Sequence, residues 1–270
     1  MSAQANTGSI LERILESRRA EVEHRKKVLP ETALKYGVAA ASPVRDFGGA
    51  LSRPGLNIVA ELKPASPSRG VLREPFEPVA VAKSLEAAGA VALSVLTEPE
   101  FFRGSLKNLR DARANVQLPV LRKDFIFDAW QVWETRANDA DSFLLMVCTL
   151  NDSKLKELLA LGRELRMEPL VEVHTRQELD LALAAEARII GVNNRNLKTL
   201  EVRPETSFEL VEHIPESCIA VSESGIRTHG ELSKLRAAGF DAFLIGTRLM
   251  LSSDPGAVLG ELLGATVQEE

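Results

Sequence analysis

Residues 219–248 read IAVSESGIRTHGELSKLRAAGFDAFLIGTR, and they hold a strand, a helix and the start of the next strand. Ile219-Ala220-Val221-Ser222 is a short apolar run of the kind a parallel strand buried on both faces gives. Thr228 and Glu231 have the Thr-x-x-Glu spacing of a capping box, in which each side chain satisfies the other's free backbone donor at a helix start. Gly239 sits where that helix should stop, and Phe243-Leu244-Ile245 opens the next run. Outward from this unit the same alternation recurs. Runs at Ile58–Glu61, Val91–Leu96, Val120–Arg122, Phe143–Val147, Leu170–Val173 and Ile189–Val192 bring the strands to eight, with helix signals at 78–88, 154–165, 178–185 and 231–238. Thr175 with Glu178 repeats the capping box, and Gly89 repeats the stop. An open doubly wound sheet would share the alternation, but no GxGxxG follows the first strand and similar units fill the span from about residue 57 to 264. The expectation is an α/β chain folded as a closed (β/α)8 TIM barrel, one domain over residues 1–270.

Residues 1–56 stand outside the repeat. Ser9 with Glu12 makes another capping box, and Ile10, Leu11, Ile14, Leu15 and Val22 form an apolar stripe beside Arg13, Glu16, Arg18 and Arg19. This predicts an N-terminal helical extension packed on the barrel, with a lid or a partner surface as the alternatives. The first eight residues and the tail after Gly264 read as loose ends. Across the 270 residues, 45% hydrophobic content suffices for one full core. The net charge of −5 argues against duplex nucleic acid or an anionic membrane as partner. Cys148 and Cys218 lie in apolar runs without CxxC spacing, which suggests neither a disulfide framework nor a zinc site and fits a reducing cytoplasm. Met1-Ser2-Ala3-Gln4 does not open a signal peptide, and no stretch approaches the roughly 20 apolar residues of a spanning helix. A cytoplasmic monomer or weak homodimer acting on a small molecule is expected.

In a barrel of this kind the active site forms where the strands end. The first strand ends Glu61-Leu62-Lys63, placing an acid and a base two residues apart and so on one side of the strand. The third ends Arg122-Lys123-Asp124-Phe125, the fifth Glu172-Val173 and the sixth Asn193-Asn194-Arg195. Lys63, Lys123, Glu61 and Glu172 would balance one another's charge at the mouth. That arrangement reads either as a structural ion-pair ring or as proton donors and acceptors tuned by proximity. The last two strands end Ser222-Glu223-Ser224-Gly225 and Ile245-Gly246-Thr247-Arg248. Glycine lets backbone approach a ligand, and a short helix beginning near Thr247 would point N–H groups at an anion, so a phosphate site is expected there.

Ala60-Glu61-Leu62-Lys63 through Ser66-Pro67-Ser68-Arg69-Gly70, Val91 to Thr97, Lys123-Asp124-Phe125-Ile126, Glu172-Val173-His174, Gly191 to Leu197 and Ser222 to Ile226 resemble, in order, the signature segments of indole-3-glycerol phosphate synthases. Phe101-Phe102-Arg103-Gly104-Ser105 resembles that family's aromatic loop, and the similarity covers essentially the whole chain. The resemblance implies a substrate, 1-(2-carboxyphenylamino)-1-deoxyribulose 5-phosphate, that is cyclised, decarboxylated and dehydrated with neither cofactor nor metal. It implies Lys123 as general acid on the ribulose carbonyl and Glu172 as base in the loss of water. Lys63 would hold the substrate carboxylate or donate a proton, and Glu61 would fix that lysine. Asn193 and Ser224 would hydrogen-bond substrate oxygens, Arg195 would meet the anthranilate carboxylate, and Phe125 and Leu144 would wall the aryl ring. Ser66, Gly225, Gly246 and Thr247 would hold the phosphate.

Some positions depart from the family pattern. Pro64 replaces a basic residue, and Phe127 to Trp133 and Asp141-Ser142-Phe143 differ in ways that read as packing. His174 reads as structural, and Glu223 as either pairing a mouth lysine or bracing its loop. Two other functions fit the barrel. Phosphoribosylanthranilate isomerase would be expected to carry a catalytic Cys/Asp pair, whereas Cys218 starts the seventh strand, at the wrong end. A catalytically silent phospho-ligand binder would be expected to have lost a mouth lysine or Glu172.

Overall fold

The computed structural model describes residues 8–265. Apart from Gly8 and Ala265, the loose ends expected from the sequence lie outside the described residues. Eight parallel strands close into a barrel in sequence order: β1 (Asn57–Leu62), β2 (Ala92–Leu96), β3 (Val120–Lys123), β4 (Ser142–Met146), β5 (Leu170–Val173), β6 (Ile189–Asn193), β7 (Ile219–Glu223) and β8 (Ala242–Ile245). β1 pairs with β2 on one side and with β8 on the other, which closes the ring. Four strands, β1, β3, β6 and β7, run one residue past their expected ends. Lys123 still pairs with Leu96, and Asn193 with Glu223, so polar side chains that read as loop are held in the ladder. Val147, expected in the fourth strand, instead opens the 3-10 turn Val147–Thr149.

Three helices precede the barrel: α1 (Ile10–Val28), α2 (Glu31–Ala40) and α3 (Phe47–Leu51). Those that follow are α4 (Pro78–Ala87), α5 (Leu106–Asn115), α6 (Ala129–Ala137), α7 (Asp152–Glu164), α8 (Arg176–Ala184), α9 (Glu205–Val211), α10 (His229–Ala237), α11 (Thr247–Leu251) and α12 (Pro255–Leu263). The Ser9/Glu12 and Thr228/Glu231 capping boxes both form. The one expected at Thr175 does not close. Thr175 accepts from the Glu178 N–H, but the Glu178 carboxylate reaches one residue further back and accepts from the His174 N–H at 2.6 Å.

The extension serves both ends of the barrel. α3 plugs the N-terminal end, where buried Phe47 and Leu51 pack with Val59, Ile189 and Ala242. The Asn57 amide donates to the Leu51 and Arg53 carbonyls and ties the plug to β1. α1 lies across the C-terminal end. Its Ile10, Leu11 and Ile14 share a small cavity of about 80 Å³ with Lys63, Phe102, Phe125 and Leu197. The Phe127 to Trp133 segment is part of this docking. Asp128 and Gln131 form a capping box for α6, and the Trp130 indole donates to the Leu29 carbonyl at the end of α1 at 2.9 Å.

Candidate active site

Strand alternation turns Lys123 into the barrel and Arg122 out of it. The inward lysine meets two carboxylates: its Nζ is 3.1 Å from Glu172 Oε2 and 2.5 Å from Glu223 Oε2. Both acids are 1% exposed. Burial alone would push the Lys123 ammonium down, but Glu223, Glu172 and Glu61 outweigh it and raise its pKa well above the ordinary lysine value, so it stays a cation. Burial would also push both acids up. In Glu172 the Lys123 and His174 charges, with hydrogen bonds from Lys123 and Asn193, win and keep it below the usual glutamate value. In Glu223 burial wins over Lys123, helped by Glu172 and Glu61, and the carboxyl is raised to about 7. One lysine thus holds two carboxyls of unequal acidity, an arrangement suited to moving a proton near neutral pH.

Gly191 makes this possible. It lies beside Glu172 in the sheet, and a Cβ there would collide with the Glu223 carboxylate. Glu223, left open between two roles in the sequence, is therefore the nearer of the two partners of Lys123.

On the neighbouring arc, Lys63 Nζ sits 2.7 Å from Glu61 Oε1. Glu61, Lys63, Lys123, Phe125, Leu144, Glu172, Asn193, Arg195, Glu223 and Ser224 line one cavity of about 110 Å³, with Leu96, Phe102, Met146 and Leu244 among its apolar walls. The Phe102 ring stands 6.1 Å from that of Phe125. Glu98 shapes this loop by accepting the backbone N–H groups of Glu100, Phe101 and Phe102, a role with no sequence signal beyond an acid after the second strand. Asn193 Oδ1 accepts from the Arg195 N–H at 2.9 Å. Burial holds the Arg195 guanidinium below its ordinary value, with Glu61 opposing and Arg69 adding to the effect.

A second cavity of about 580 Å³ opens from the same mouth between the ends of β7 and β8, lined by Ser224, Gly225, Gly246 and Thr247 together with Arg69, Arg227 and Arg248. The three arginines make it cationic and did not figure among the sequence candidates. Ser224 and Gly225 both have left-handed backbone, φ 68° and 88°, and such conformations in non-glycine residues concentrate at functional sites. Ser66 does not line this cavity; it faces the smaller one under α1, which shares Lys63, Ser68, Arg195 and Thr247 with it. Gly246 also has a second role. A Cβ there would lie 2.8 Å from Glu61 Oε1, so Gly246→Ala is expected to displace Glu61 and with it Lys63. Steady-state kinetics should show kcat/KM lowered about 10- to 100-fold, the scale on which misplaced groups act.

Among the described residues no three His, Cys, Asp or Glu side chains gather in a way that could hold an ion. Cys148 and Cys218 are free, and Cys218 precedes β7 at the barrel's N-terminal end. No described helix is long and apolar enough to cross a membrane.

A family model described as indole-3-glycerol phosphate synthase matches residues 11–262. Curated relatives of that name include one from Chlorobium phaeovibrioides, 47% identical over 90% of this chain and 95% of its own. Another, from Albidiferax ferrireducens, is 44% identical over 94% of this chain and 97% of its own. Among solved structures, 3-hexulose-6-phosphate synthase from Salmonella typhimurium superposes with a TM-score of 0.63 over 78% of this chain and 99% of its own, at 11% identity. A mandelate oxidase variant does so at 0.59 over 77% and 71%, at 15% identity. At that identity these structures share the barrel alone.

Proposed function

The chain belongs to the indole-3-glycerol phosphate synthase family, and from that premise we propose how its mouth residues divide the work. The reaction is that of a carboxy-lyase of tryptophan biosynthesis acting on a small phosphorylated substrate. The aryl carbon that carries the carboxylate attacks the ribulose carbonyl carbon, carbon dioxide leaves to restore the ring, and the new hydroxyl departs as water.

The observation that carries the reading is Lys123 held as a cation between Glu172 and Glu223. Lys123 donates to the carbonyl oxygen as the carbon–carbon bond forms, where negative charge would otherwise build up. Glu172, kept ionised, takes the proton released as water is lost. Glu223 shares the lysine and, at about 7, returns its proton between steps. Lys63, fixed by Glu61, holds the substrate carboxylate or donates the proton with which the new hydroxyl leaves as water, and Arg195 meets the same carboxylate. Phe125 and Leu144 hold the aryl ring against Phe102. Asn193 and Ser224 bond the hydroxyls, and Gly225, Gly246 and Thr247, with Arg69 and Arg248 beside them, hold the phosphate, with Ser66 and Ser68 at its edge.

A single-turnover quench read by mass spectrometry tests the division. Wild-type protein should form product lacking both carbon dioxide and water. Glu172→Gln should accumulate a species that has lost carbon dioxide alone. If Glu172→Gln completes dehydration at the wild-type rate, Glu172 is not the base.

A further inference from the structure

His174 follows the last residue of β5, and strand spacing returns it to the side of Glu172. The two oxygens of Glu172 are divided: Oε2 meets Lys123 at 3.1 Å, and Oε1 lies 3.4 Å from His174 Nε2. The other ring nitrogen, Nδ1, is 3.2 Å from Glu178 Oε2 on α8, and the same Glu178 oxygen accepts the His174 backbone N–H. This double grip explains why Glu178 abandons Thr175. The imidazole is mostly buried, and Nε2 is enclosed without a hydrogen-bond partner. A buried donor left unmade costs stability, so its position asks for a reason. Contacts of this kind at catalytic centres often tighten only when substrate binds.

We propose that His174 is a positioning residue for the reaction, an imidazolium clamped by Glu178 that presents Nε2 to Glu172 and keeps that carboxylate charged and aimed into the mouth. The groups that face it are Glu172 on β5, Glu178 on α8 and Cys148 in the turn after β4, with Lys123 beyond Glu172. Burial, the largest single influence, would neutralise the ring, but the Cys148 sulfur, Glu178 and Glu172 together raise its pKa to about 10. The base is thereby flanked by two cations, of which Lys123 must also serve Glu223. Without His174 the buried Glu172 would share one cation with a second acid and would take up a proton at higher pH.

This inference rests on Glu172 being the base, so Glu172→Gln is measured alongside. In His174→Phe the acid limb of the kcat–pH profile is expected to move up by about one unit, and kcat at neutral pH to fall on the order of tenfold with KM little changed. His174→Gln, which keeps a donor near Glu172 without the charge, should recover part of the loss. A ring with only a structural role would lower Tm and leave the acid limb where it is. An unmoved limb in folded His174→Phe beside an inactive Glu172→Gln overturns the role of His174 alone, whereas an active Glu172→Gln overturns the base reading and this inference with it. A direct check needs no variant: the His174 ring carbon signal in wild-type protein should hold its charged position above pH 9, and a ring that is neutral by pH 8 contradicts the proposal.

Discussion

Lys123→Met is expected to reduce kcat by about 10³- to 10⁴-fold while leaving KM within a few-fold, because it removes the proposed general acid and the cation at the developing oxygen charge but leaves the cationic cavity and the proposed aryl wall intact. It should also change how stability depends on pH. In the wild type Lys123 neutralises Glu172 and Glu223, both 1% exposed. Without it Glu223 has no counter-charge and Glu172 keeps only His174, so Glu223 moves further above the unfolded glutamate value of about 4.3 and Glu172 rises from below it. Acids raised in this way bind more protons folded than unfolded. Their native state is therefore favoured below the unfolded value and loses stability as pH rises through the folded ones. The variant should match the wild type most closely near pH 5 and fall short of it by about 3–5 kcal/mol at pH 8, the usual cost of stripping one partner from a buried pair. Urea unfolding at the two pH values measures this, and an equal deficit at both would mean the carboxyls are not relying on the lysine.

Asp124→Ala should give a loss of stability of similar size. Asp124 follows Lys123, and its carboxylate is a meeting point of elements far apart in sequence. Arg18 of α1 and Arg122 of β3 each reach its Oδ2 at 2.9 Å, and the Thr97 hydroxyl donates to the same oxygen at 2.6 Å. Burial would raise its pKa, but Arg18, Arg122 and the bonds from Thr97 and Arg122 hold it below the usual aspartate value. Removing the carboxylate leaves two enclosed guanidinium groups short of a counter-charge: Arg122 keeps Glu134, and Arg18 keeps only half-exposed Glu21. A loss of about 3–5 kcal/mol is expected, or a fall in Tm of roughly 6–20 °C for a chain of this size. Because Arg18 ties α1 over the mouth, KM should rise as well. A Tm within about 2 °C of wild type would show that α1 is held by its apolar stripe instead.

The two variants probe parts of the molecule that differ in how far they can be read from sequence. The strands were legible because a parallel strand buried on both faces must be largely apolar, and Leu170–Val173 falls where its residues say it should even with Glu172 in it. α6 was not. Its buried face carries Gln131, Glu134, Thr135 and Arg136, held by an ion-pair network that includes Arg122 and Arg25, so hydropathy shows no helical stripe. The mouth acids and lysines were legible because polar side chains at strand ends are few. His174 was not, because its partner Glu178 comes from the next helix and had been assigned to a cap at Thr175. The spaces that Gly191 and Gly246 leave for Glu223 and Glu61 cannot be inferred from chain spacing, since each joins different strands.

Whether the Lys123, Glu172 and Glu223 cluster closes the indole ring is tested most directly by adding the carboxyphenylamino-deoxyribulose phosphate to purified protein in EDTA and following indole fluorescence, with Lys123→Met alongside. Wild-type protein should produce indole fluorescence with one carbon dioxide released per product, and the folded variant should bind the substrate without producing it. Fluorescence from Lys123→Met at a rate near that of the wild type would contradict the assignment.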